Sequence, residues 1–204
     1  MSHGLKYMRC DVHDRFSIWK PWRWIFMLIR FFSRGKWNHS ALMRSDGMVL
    51  EATVKGVKET PYTSWRDKDT YIQVWVPDFD YSPARALTIW NRWVDARLKY
   101  DFNGTIIQQG WHNIKLFFHR LFGDPSKKVR WTGKTDHGQA DAKYYCSELD
   151  GKFWNTLAGK FERWYEDTPQ ELADQCHGDY EWVLFYKGKK SGFHPSSINR
   201  PESL

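Results

Sequence analysis

Hydrophobic and polar positions along the chain fall into short blocks of two different periods. Residues 71–76 (YIQVWV) form a strand-like run that ends at Pro77, and residues 180–187 (YEWVLFYK) form another. Residues 37–54 (WNHSALMRSDGMVLEATV) read as two strands around Asp46-Gly47, a strong hairpin signal. Ser82-Pro83 has the form of an N-cap followed by proline at the first helical position. The helix it opens puts Leu87, Trp90, Trp93, Val94 and Leu98 on one stripe. Residues 18–32 predict a short, very apolar, Trp-rich helix, and residues 111–122 an amphipathic one stopped by Gly123-Asp124-Pro125. After Cys146, the positions Leu149, Phe153, Leu157, Phe161 and Trp164 keep helical spacing, weakened by Gly151 and Gly159. Residues 126–143 read as a basic loop, and the tail from Lys189 is polar. Strands and helices interleave without a regular βαβ rhythm, so the expected class is α+β with an antiparallel sheet packed against helices.

The length of 204 residues fits one domain, 1–204, carrying the Trp-rich helix at about 18–32 and an inserted helix plus basic loop at about 105–143. An aromatic content of 18% excludes a disordered chain, which could not gather so much apolar surface. The net charge of +7 mildly favours an anionic partner. Three cysteines (Cys10, Cys146, Cys176) are too few for a disulfide framework. There is no spanning apolar run and no signal-peptide pattern, so the expected location is the cytoplasm.

Cys146 is the informative cysteine, because it sits where a loop gives way to a helix. Helix-terminal N–H groups and the positive end of the dipole stabilise thiolate, the nucleophilic form. A buried cysteine acting as a small hydrophobe is the plain alternative. A nucleophile needs a base and the base an orienting group. His39 and Glu51 are polar intruders in two alternating apolar strands. With a two-residue turn at Asp46-Gly47, Glu51 pairs with Leu42 and faces away from His39. With a three-residue loop (Ser45, Asp46, Gly47), it pairs with Ala41, on His39's face and one diagonal step away. That loop needs a left-handed last residue, which Gly47 supplies.

These residues carry a resemblance. The matching pieces are Asn38-His39-Ser40-Ala41-Leu42-Met43, Val49-Leu50-Glu51-Ala52, Lys99-Tyr100-Asp101-Phe102 and Tyr145-Cys146-Ser147-Glu148-Leu149. In that order they resemble the circularly permuted papain-like cysteine hydrolases, permuted relatives of the NlpC-type amidases. The resemblance implies a papain-like core with Cys146 as nucleophile, His39 as base and Glu51 as third member. It implies a cysteine hydrolase of amidase, peptidase or thioesterase type, acting on a peptide, amide or acyl-ester bond without cofactor or metal. Two rivals stand beside it: a lipid acyltransferase like the lecithin–retinol acyltransferase relatives, and a basic, aromatic nucleic-acid-binding module.

Other signals weigh less than their plain alternatives. Cys10-x-x-His13 and Cys176-His177 resemble halves of a zinc site but lack paired finger spacing. Lys127, Lys128, Arg130 and Lys134 around Trp131 resemble a single-strand groove, though a solvated loop explains them as well. Residues 18–32 have the makings of a peripheral membrane contact, but a helix covering the sheet is the simpler reading.

Overall fold

The computed structural model describes residues 5–13, 36–53, 55–96, 98–100, 143–144, 146–162 and 169–199. The expected helices at 18–32 and 111–122 lie outside these residues, as does the basic loop except for its last residue, Lys143. The fold is mixed α+β around a six-stranded antiparallel sheet. Its strands are β1 (Tyr7–His13), β2 (His39–Arg44), β3 (Met48–Thr53), β4 (Gly56–Pro61), β5 (Tyr71–Pro77) and β8 (Trp182–Lys189), in the order β4-β3-β2-β1-β5-β8. A two-residue parallel pair, β6 (Lys99–Tyr100) with β7 (Lys143–Tyr144), brings the chain up to Cys146.

The hairpin has the three-residue loop. Leu42 pairs with Leu50 and Met43 with Val49, which leaves Ser45, Asp46 and Gly47 in the turn. Gly47 has φ +91°, and its N–H donates to the Arg44 carbonyl at 3.0 Å. The Asp46 carboxylate accepts from the Met48 N–H, closing the loop from within.

Strand alternation sorts the sheet into two cores. Tyr7, Leu42, Leu50 and Trp75 face a layer of helices: α1 (Pro83–Asp95), α2 (Cys146–Ala158) and α3 (Pro169–Gly178). Met8, Cys10, Val12, Ala41, Met43, Val49 and Val74 face the opposite way, under Tyr62, Trp65, Phe193 and Ile198. The tail after Lys189 therefore closes a second core, where the sequence reads only as polar. Ser82 caps α1 as expected, its Oγ accepting from the Arg85 N–H at 3.2 Å with Pro83 opening the helix. Trp90 and Trp93 are buried on its inner face. Leu98, expected on the same stripe, follows the helix instead but still packs in the core.

Helix α2 is shorter than its apolar spacing predicts. It stops at Ala158, where Gly159 and then Phe161 adopt left-handed φ values of +69° and +55°. Phe161 stays buried, but beyond the helix.

β1 occupies the middle of the sheet, and its helix-facing side carries ions in a fully buried setting. Arg9 lies between two carboxylates: its Nε donates to Asp150 Oδ2 at 2.7 Å, and its Nη1 to Asp11 Oδ2 at 3.0 Å. Asp11 also accepts from Trp75 Nε1 at 2.8 Å and from Gln73. Buried charges persist only when paired and hydrogen-bonded in this way. The Arg9–Asp150 pair ties α2 to the central strand one turn beyond Cys146.

Candidate active site

The position of Cys146 follows from two local facts. It is the first residue of α2, and α2 packs against β2 and β3. The β2–β3 ladder holds only at Leu42↔Leu50 and Met43↔Val49. In an unbroken ladder of this register Ser40 would pair with Ala52. Here the Ser40 N–H donates instead to the Cys146 sulphur, as does the N–H of Ser147 in the first turn of the helix. The thiol thus meets donors from both a parted strand and a helix terminus.

His39 completes the contact. Its Nε2 lies 2.9 Å from Glu51 Oε2, and its imidazole also hydrogen-bonds the Cys146 thiol. One ring nitrogen is occupied by Glu51, so Nδ1 is the one left for sulphur. Cys146, His39 and Glu51 are all buried, at 5%, 3% and 3% exposure, so water does little to screen their charges. The structure brings the three sequence-selected residues together.

Their electrostatics favour an ion pair. Burial pushes the Cys146 thiol up, but the charge of His39, its hydrogen bond and the two backbone N–H groups outweigh burial, and the thiol ionises below its ordinary range. Burial alone would lower His39. The Cys146 thiolate and the hydrogen bonds to Cys146 and Glu51 overcome both that and the opposing charge of Arg66, raising His39 to about 9. Burial would likewise raise Glu51, yet the hydrogen bond from His39 and the charge of Arg66 hold it well below the usual carboxylate range. The other thiols go the opposite way: burial pushes both Cys10 and Cys176 up.

Sequence reasoning missed the cations around Glu51. Arg66 Nη2 donates to Oε2 at 2.8 Å, and Lys58 Nζ lies 3.4 Å from Oε1. Lys58 sits directly opposite Glu51 in β4, a partner that the strand register would have indicated had β4 been recognised. Arg66 comes from the turn after β4, and nothing in its local sequence marks it.

Cys10 and Cys176 lie in different cores, on opposite faces of the sheet, so Cys10-x-x-His13 and Cys176-His177 do not combine into one site. Among the described residues no group of three or more His, Cys, Asp or Glu side chains could hold a metal ion. Nor is any helix among them long and apolar enough to cross a membrane. The basic residues around Trp131 lie outside the described residues. Comparison with family models, curated proteins and solved structures found no match.

Proposed function

We propose that this chain is a cysteine hydrolase in which Cys146, His39 and Glu51 act as nucleophile, base and orienting carboxylate on a papain-like permuted core. The observation that carries the reading is a single buried relay. The thiol at the α2 N-terminus is hydrogen-bonded to an imidazole whose other nitrogen is 2.9 Å from a carboxylate. The order His, Glu, Cys along the chain, with the thiol-bearing helix packed on an antiparallel sheet, supports the permuted papain-like assignment.

In this mechanism the Cys146 thiolate attacks the acyl carbon, forming a C–S bond while the carbonyl electrons move onto oxygen. In this reading, backbone N–H groups at the start of α2 serve as donors to that oxyanion. Collapse breaks the bond to the leaving group, which takes a proton from the His39 imidazolium. Neutral His39 then removes a proton from water, the hydroxide attacks the thioester, and Cys146 departs as thiolate with release of a carboxylic acid. Glu51 keeps the ring oriented and stabilises its cationic form throughout. The substrate class is an amide, peptide or activated acyl ester.

Exposure to an electrophilic acyl probe, followed by peptide mass mapping, tests this assignment. The expected result is one adduct, on Cys146, lost in Cys146→Ala and strongly reduced in His39→Ala. A folded wild-type protein that gives no Cys146 adduct would remove the hydrolase reading.

A further inference from the structure

Glu51 Oε2 receives two donors, His39 and a second cation, Arg66. Arg66 reaches it from a backbone conformation that residues with a side chain rarely adopt, φ +59°. The turn that carries Arg66 is held from the far end of the chain. Lys190, only 4% exposed, donates from Nζ to the Arg66 carbonyl at 3.2 Å. Its own carbonyl accepts from Tyr62 Oη at 2.9 Å, and its N–H donates to the Thr70 carbonyl at 2.7 Å. Both flanks of the turn are therefore clamped to one residue. A left-handed arginine maintained by such contacts is the kind of outlier that points to a role for its side chain.

We infer that Arg66 is a positioning residue for the Cys146–His39–Glu51 relay, pinning the Glu51 carboxylate and holding a second positive charge against the oxygen that receives the imidazole. The inference rests on the hydrolase reading of that relay. Arg66 has two effects of opposite sign. By fixing Glu51 it keeps the ring of His39 oriented. By its charge it repels the imidazolium and eases loss of the proton, which the leaving group must receive and which must be gone before water can be activated. Among the described residues, charged groups that face His39 include Cys146 from α2, Glu51 from β3 and Arg66 from the turn after β4. Lys58 from β4 stands behind Glu51, but its side chain is half exposed and solvent screens it. Arg66, at 16% exposure, is the cation whose charge is felt.

The test is an NMR titration of the His39 imidazole in the wild type, Arg66→Gly and Arg66→Lys. Glycine suits the left-handed backbone, so Arg66→Gly removes the guanidinium without adding strain. Arg66→Met carries the same measurement if the glycine variant fails to fold. Without the guanidinium, His39 should titrate about one unit higher than in the wild type, the low end for loss of a charge in direct reach. Hydrolysis of a Cys146 acyl adduct, in which the thiolate charge is gone and His39 titrates lower, should then slow by up to about tenfold on the acid side of that titration, in step with the fraction of neutral imidazole. Arg66→Lys should stay near the wild type in both. A folded charge-removed variant in which His39 titrates at or below the wild-type value would overturn the inference. Absence of any adduct in the wild type would instead defeat the hydrolase reading, and the titration would still report on Arg66.

Discussion

His39 and Glu51 meet at 2.9 Å across a hairpin whose ladder ends before it reaches either of them. The three-residue loop puts both side chains on one face, and the parting of β2 from β3 releases the Ser40 N–H to the sulphur of Cys146. Turn geometry at Gly47 and thiol chemistry at Cys146 are thereby parts of one arrangement.

Replacement of Glu51 by Gln should affect both rate and stability. Losing a charge-assisted hydrogen bond costs about 1.5–3 kcal/mol, and each 1.36 kcal/mol is about tenfold in rate, so a tenfold to hundredfold fall in turnover is expected. Arg66 and Lys58 also lose their anion, so the melting temperature should drop. Turnover measured well below the melting transition separates the two effects. Unchanged turnover in folded Glu51→Gln would leave at most a Cys–His pair.

Removing the thiolate should be visible at His39. In Cys146→Ala the ring loses the negative charge that contributes most to its raised pKa, so NMR should find it titrating below about 9. Because the folded value lies above the unfolded 6.5, His39 contributes stability that is complete below about 6.5 and lost as pH rises through about 9. In Cys146→Ala that loss should be smaller and end at lower pH. An unmoved His39 titration would show that the thiol does not bear the charge assigned to it.

Asp150 gives a pH dependence of the same sign in a more acidic window. Burial pushes its carboxyl up to about 7 despite the adjacent Arg9 guanidinium, helped by the Asp11 charge. The native chain then holds a proton that the unfolded chain has released above about 4. Stability from this group should fall between pH 4 and 7 and level off beyond. Asp150→Asn keeps an acceptor for Arg9 and removes that slope. Urea midpoints at pH 5 and pH 8 should show the wild type losing ground to the variant, by on the order of a few kcal/mol. Parallel behaviour at both pH values would contradict the shift.

Gly47→Ala isolates the turn. A Cβ there meets nothing within 4 Å, so the cost comes from left-handed backbone alone, about 1–2 kcal/mol. Urea denaturation should read that loss without loss of the native state. A neutral substitution would mean that the loop does not depend on left-handed geometry.

What was legible in the sequence was what local chemistry determines. Asp46-Gly47, Ser82-Pro83 and the spacing after Cys146 each carry their own signal, and the structure has a turn, a capped helix and a helix there. β1 escaped because a strand buried on both faces does not alternate, and Arg9 and Asp11 look like surface residues until their partners Asp150, Gln73 and Trp75 are brought to them by the fold. β4 is mostly polar, with only Gly56 and Val57 buried, so its hydrophobic pattern is too short to read. Helix α3 turns Leu172, Ala173 and Cys176 inward, too narrow a stripe to stand out. Arg66 could not be found at all, since its contact with Glu51 depends on a left-handed backbone and on Lys190, distant in sequence.

The most direct test of the central claim is the pH dependence of alkylation at each cysteine of the native protein, read by peptide mass mapping after brief iodoacetamide exposure. An ion-paired Cys146 should react ahead of Cys10 and Cys176 at every pH from 5 to 8, with an acid limb well below the free-thiol value of about 8.5, and His39→Ala should move that limb upward. A Cys146 that alkylates only as an ordinary thiol, or more slowly than Cys10 and Cys176 across that range, would contradict the account.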